Sequence, residues 1–178
     1  IDAFLLPGHV SSDIGVEPYK FLAADYGINS CIAGFEPLDI LQALLFLLRQ
    51  KKKSVPEVIN QYNRAVKDEG NLNAVQTMYE VFEICDAQWR GIGLLPESGL
   101  KLRPQYEPFD ARKVLSFEPE VAFEVPGCKC GEILKGKLTP EQCPLFNKAC
   151  TPAHPVGPCM VSTEGSCAAY YKYGLYKS

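Results

Sequence analysis

Six of the chain's eight cysteines fall between Cys128 and Cys167, while the preceding 127 residues carry only Cys31 and Cys85. Six prolines lie between Pro126 and Pro158, so regular helices and strands cannot organise most of this stretch. Thiol chemistry must therefore hold it. A structural zinc site usually offers ligand pairs two to four residues apart, and no Cys-x-x-Cys occurs in the chain. Ferredoxin spacings are missing too. Four thiolates suffice for a 4Fe–4S cluster, and six cysteines leave a redox pair over. The residues alone leave three readings open: an iron–sulfur site, a zinc site and a disulfide framework. His154 is either a zinc ligand or an exposed loop residue between Ala153 and Pro155, and Met160 reads as packing.

The region before the cysteines is ordinary in composition. With 47% hydrophobic residues in 178, the chain has the material for a buried core and is not disordered. A net charge of −3 argues against nucleic-acid binding. The one basic run, Lys51 to Lys53, reads as a solvated cap that complements a helix dipole. Leu38 to Leu48 is interrupted by Asp39 and Gln42 and is too short to cross a bilayer, so no membrane role is expected. The opening Ile1-Asp2-Ala3-Phe4-Leu5-Leu6-Pro7 has no initiator Met, basic start or small-residue cleavage site, which predicts a cytoplasmic piece of a larger protein. In a reducing cytosol, clustered cysteines bind metal or do redox work more often than they form structural disulfides.

The first fifty residues repeat one grammar twice. Phe4-Leu5-Leu6 leads through a loop from Pro7 to Ser12 into a helix near Pro18 to Tyr26, closed by Gly27; Ile28 to Ala33 leads through Gly34-Phe35-Glu36 into a helix from Pro37 to about Gln50. Strands alternating with helices predict an α/β fold with a parallel sheet flanked by helices. Loops leaving the carboxyl ends of parallel strands line the ligand crevice, so His9 and Glu36 are expected on one sheet edge. The second helix, apolar on nearly every face from Ala43 to Leu48, is expected to lie pressed between the sheet and another layer. A third helix is expected from Asn73, with Gln76 completing a capping box and Val75, Met78, Val81 and Phe82 forming a stripe that Cys85 continues as a buried core thiol. Cys31 reads the same way. Trp89 to Leu95 reads as a further strand. These signals place an α/β domain at 1–100, a connector with one short helix near Asp110 to Leu115 at 101–126, and a small irregular-to-helical cysteine- and proline-rich domain at 127–178.

Several motifs together resemble the HypD family of nickel–iron hydrogenase maturation factors: Leu6-Pro7-Gly8-His9-Val10-Ser11, Gly34-Phe35-Glu36-Pro37-Leu38-Asp39-Ile40-Leu41, Asn60-Gln61-Tyr62, Gly157-Pro158-Cys159-Met160-Val161-Ser162, and Ala168-Ala169-Tyr170-Tyr171-Lys172-Tyr173-Gly174. Fourteen, six and sixteen residues separate Cys128, Cys143, Cys150 and Cys167, which is similar to that family's iron–sulfur spacing. The resemblance runs from Ile1 to Ser178 and corresponds to the family's C-terminal half.

The resemblance implies an assembly scaffold rather than a turnover enzyme. Such proteins work with the partners HypC and HypE and hold, in the full-length protein, a transient iron that acquires two cyanides and a carbon monoxide. Cys128, Cys143, Cys150 and Cys167 would ligate a 4Fe–4S cluster, making the tail an iron–sulfur domain. Cys130 and Cys159 would be the adjacent redox thiol pair, similar to that of ferredoxin–thioredoxin reductases. His9 and Glu36 would face the cleft where the iron complex forms. The family's Cys-Pro-Val-Cys iron motif does not occur in this sequence. Two other functions compete: a thiol–disulfide oxidoreductase acting through Cys130 and Cys159, and an interaction module stabilised by zinc or disulfides.

Overall fold

A computed structural model describes residues 1–53, 55–115 and 125–174. The chain forms two compact units, Ile1–Val81 and Phe82–Ser178. Residues 116–124 of the expected connector, including Pro119, lie outside the described residues.

The first unit runs β1 (Ala3–Pro7), α1 (Gly8–Ile14), a 3₁₀ turn (Glu17–Tyr19), α2 (Lys20–Ala24), β2 (Asn29–Ala33), α3 (Pro37–Gln50), β3 (Val58–Asn60) and α4 (Leu72–Val81). The strands form a parallel sheet in the order β1-β2-β3, with Pro7 level with Ala33 and Ile32 level with Asn60. The mixed α/β class with a parallel sheet is thus present. Side chains alternate across β2, and both faces are covered. Ile32 packs with Leu6, Val16 and Val66 on one side. Cys31 and Ala33 meet Ala43 of α3, with Phe46, Leu47 and Ile59, on the other. Cys31 is fully buried, as expected. Gly27 takes its left-handed turn with φ 65°.

Four local expectations need correction. The stretch from Gly8 to Ile14 is helix, not loop: no proline interrupts it, and Ser11 Oγ donates to the Pro7 carbonyl at 2.8 Å across the first turn. α3 is not enclosed, because Leu38, Leu41, Leu45 and Leu48 are each 45–66% exposed and only Ala43, Asp39 and Gln50 are buried along it. α4 is capped by Asn71, whose Oδ1 accepts from the Ala74 N–H at 3.2 Å, in place of a box beginning at Asn73. It also ends at Val81, so Phe82 and Cys85 leave the helical stripe.

The second unit opens with an antiparallel hairpin, β4 (Phe82–Trp89) and β5 (Gly93–Leu102). Cross-strand pairing captures residues that helical periodicity assigned to α4, which leaves Cys85 half-buried on a strand rather than in a core. The expected strand from Trp89 to Leu95 straddles the turn between the two. A register shift at Cys85/Ala87 accommodates Pro96, and the Glu97 N–H there donates to Asp86 Oδ1 at 2.9 Å. A 3₁₀ segment (Pro104–Phe109) leads into the expected short helix, α5 (Ala111–Val114), where Asp110 accepts from the Arg112 N–H. Three more short helices follow: α6 (Cys130–Leu134), α7 (Pro158–Val161) and α8 (Ser166–Tyr173). Among the described residues, no helix is long and apolar enough to cross a membrane.

Candidate functional site

In the second unit the core is made largely of thiols. Cys130, Cys143, Cys150, Cys159 and Cys167 are buried together with Ile133, Phe146 and Met160, and Cys128 packs against them at partial exposure. Met160 is core packing, as expected. Tyr170 and Tyr171 close one side edge-on to Phe146, with centroids at 6.4 and 6.2 Å. His154 is exposed, held through its backbone to Thr151, and stands apart from this core.

Four of the six clustered cysteines sit at or near the ends of short helical elements, which is how a proline-rich chain brings distant residues to one point. Cys130 opens α6, Cys159 lies in α7 and Cys167 in α8. Cys143 ends a 3₁₀ turn whose Thr139–Gln142 capping box is complete. Cys150 lies in a tight bend where its N–H donates to the Leu145 carbonyl at 2.9 Å. Two close approaches demand glycine. A Cβ on Gly131 would lie 1.7 Å from the Gly91 carbonyl oxygen, and one on Gly157 would lie 2.6 Å from Cys128 Sγ.

All eight cysteines are free thiols. Three of the six lie in sequence: Cys130 neighbours Cys159, and Cys159 Sγ donates to Cys167 Sγ at 3.2 Å. Burial pushes Cys130 up to about 12 and Cys159 up to about 11, and it raises Cys128 and Cys167 as well. The Val156 N–H points at Cys150 Sγ at 3.4 Å. Among the described residues, no group of three or more His, Cys, Asp or Glu side chains is placed to hold a metal ion. The donors gathered here are all sulfur, mostly buried and free of disulfides, and thiolates are soft ligands that select thiophilic metals. Buried thiols favour the neutral form, so metal binding here would release protons.

In the first unit, His9 and Glu36 follow the carboxyl ends of β1 and β2, which are level at Pro7 and Ala33. The His9 ring stacks on Phe35 with centroids 5.1 Å apart. Glu36 is exposed and reaches Arg64 at 3.3 Å. The edge is anchored by residues to which the sequence alone assigns no role. Arg64 bonds to both oxygens of Asp39, at 2.7 and 2.6 Å, and lies over the Tyr62 ring at 4.5 Å. Gln61 Nε2 donates to Asp39 and to Gln42, each at 3.0 Å. The Arg64 guanidinium, aided by Gln61, holds the Asp39 carboxyl down at about 2. The available signal was a carboxylate inside an apolar helical run, because a buried Asp needs a partner.

The comparisons with known proteins agree with one another. A family model described as "HypD: Hydrogenase formation hypA family" matches residues 1–174. The chain is 47% identical over 178 residues to the hydrogenase maturation factor HypD2 of Bradyrhizobium diazoefficiens, covering 99% of this chain and 47% of that protein. It is 47% identical over 179 residues to the hydrogenase maturation factor HypD of Escherichia coli, covering 100% of this chain and 48% of that one. A putative hydrogenase expression/formation protein of Methanocaldococcus jannaschii is 45% identical over 174 residues, covering 97% and 48%. The chain spans about half the length of the curated relatives it matches.

Proposed function

Because the chain belongs to the HypD family, we propose that it is part of a scaffold for assembling the Fe(CN)₂CO group of nickel–iron hydrogenases, and that its cysteine-rich unit carries a redox-active 4Fe–4S cluster. The observation that carries this reading is the gathering of six free thiols into one core. Cys128, Cys143, Cys150 and Cys167 would hold the cluster, which supplies one-electron chemistry when bound. Cys130 and Cys159 are the exchanging thiols; Cys159 is suited to this because it touches Cys130 on one side and the ligand Cys167 on the other. The Val156 N–H contributes a hydrogen bond to Cys150 Sγ of the kind that tunes such groups.

On this reading the cargo is an iron ion with two cyanides and a carbon monoxide, built in the full-length protein in the cytoplasm with HypC and HypE as partners. His9 and Glu36 sit on the sheet edge where a cleft would open, with Glu36 steadied by Arg64. Anaerobic reconstitution of the wild type and of Cys→Ser variants tests the assignment. Cys143→Ser and Cys150→Ser should lose the visible iron–sulfur absorption, while Cys85→Ser and Cys130→Ser keep it. Loss in Cys85→Ser with retention in Cys143→Ser would overturn it.

The contact between Cys130 and Cys159 also favours a second reading, a thiol–disulfide oxidoreductase in which that pair reduces a protein disulfide. It requires turnover with a reduced electron donor that Cys130→Ser abolishes.

A further inference from the structure

The backbone of the hairpin turn between β4 and β5 presses on the thiol core. The Gly91 carbonyl lies where a Cβ of Gly131 would be, so the turn is seated against the residue that follows Cys130. Arg90, the neighbour of Gly91, therefore has a fixed origin for its side chain. Its guanidinium donates to the Val156 carbonyl at 3.3 Å. That same residue's N–H faces Cys150 Sγ at 3.4 Å. Arg90 and Gly91 line a small pocket of about 50 Å³ whose other walls include Cys128, Cys130, Gly157 and Pro158. Gly157 forms a tight wall, since a side chain there would strike Cys128 Sγ. Arg90 is exposed, yet it is tied to the loop that carries Val156.

We propose that Arg90 is the positioning residue of this thiol pocket: tied to the Val156 carbonyl, it fixes the loop whose N–H faces Cys150 and places a permanent positive charge at the opening to Cys128 and Cys130. An arginine never loses its charge at working pH, so the opening favours anionic over neutral reactants in the thiol form and in any loaded form. The part concerning a cluster rests on the proposed function; the part concerning the pocket does not. A positive charge and a well-aimed N–H both favour the more reduced, more negative state of a thiolate-held group.

Two measurements on the whole chain separate these parts. In metal-free protein, Cys128 is alkylated with iodoacetate and with iodoacetamide, and the rates are followed by peptide mass spectrometry. The ratio of anionic to neutral rates should fall about threefold or more in Arg90→Gln, the factor a unit charge exerts at several ångström in partly aqueous surroundings. It should recover in Arg90→Lys, and the wild-type ratio should decline with added salt. An unchanged ratio in Arg90→Gln, a wild-type ratio insensitive to salt, or a larger fall in Lys129→Gln overturns the proposal. A merely structural role would slow or speed both reagents alike. In reconstituted protein, Arg90→Gln should move the reduction potential to more negative values, with Arg90→Lys closer to wild type; an unmoved potential overturns the electrostatic role. If the wild type takes up no iron, the functional reading fails while the alkylation ratio still decides the case for Arg90.

Discussion

Cys159 Sγ stands 3.2 Å from Cys167 Sγ and donates to it, with Cys130 as a further neighbour in the same thiol core. On the proposed reading, Cys159 would be the sulfur that links the exchanging pair to the ligand set. In metal-free protein, a two-electron oxidant such as diamide removes two thiol protons and two electrons and leaves one S–S bond. The first bond formed should contain Cys159, joined to Cys130 or to Cys167, as read by mass spectrometry of non-reduced peptides. A first disulfide containing Cys31 or Cys85 would contradict the geometry.

The Arg64–Asp39 clamp makes a pH prediction. Asp39 sits at about 2 in the folded chain against an ordinary 3.8, so the unfolded chain binds the extra proton between these values and stability rises with pH there. That contribution is complete above about pH 4 and disappears as pH falls through about 2. Arg64→Ala should lower the melting temperature at pH 7 by several degrees and flatten its slope between pH 2 and pH 4. Melting curves of the two proteins across that range check this; an equal slope in both would refute it.

Gly131→Ala should destabilise the second unit by about 2 kcal/mol or more, because a methyl group there strikes the Gly91 carbonyl and the backbone must move. Urea unfolding should show the loss. A variant as stable as wild type would mean that the hairpin turn is not seated on α6.

The exposed face of α3 can be set against the sheet interior. Leu41 is 63% exposed, so Leu41→Gln should change stability by less than about 0.5 kcal/mol. Ile32 is fully buried between β1, α2 and β3, and Ile32→Ala should cost about 3 kcal/mol. Comparable losses in the two variants would show that the leucine face is covered in solution.

These residues also show what the sequence makes legible. The parallel sheet was readable because β1, β2 and α3 carry strong local signals: apolar runs, Pro37 at the helix start and Gly27 after a turn. The hairpin was not, because Val81, Phe82 and Cys85 fit a helical period and a strand equally well, and only pairing with β5 decides between them. Helix α1 was missed since Pro7-Gly8 reads as a loop unless the Ser11 hydroxyl is known to bridge back to Pro7. In the site, the six cysteines announced themselves by type and crowding. Arg64 and Arg90 did not, since an arginine's role depends on what lies opposite it, and Asp39 and Val156 are 25 and 66 residues away along the chain.

The most direct test of the central claim is iron and acid-labile sulfide analysis of the wild-type chain purified or reconstituted without oxygen. Brown protein with about four irons and four sulfides per chain is expected. Colourless protein holding stoichiometric zinc, or three native disulfides among the six clustered cysteines, would contradict it.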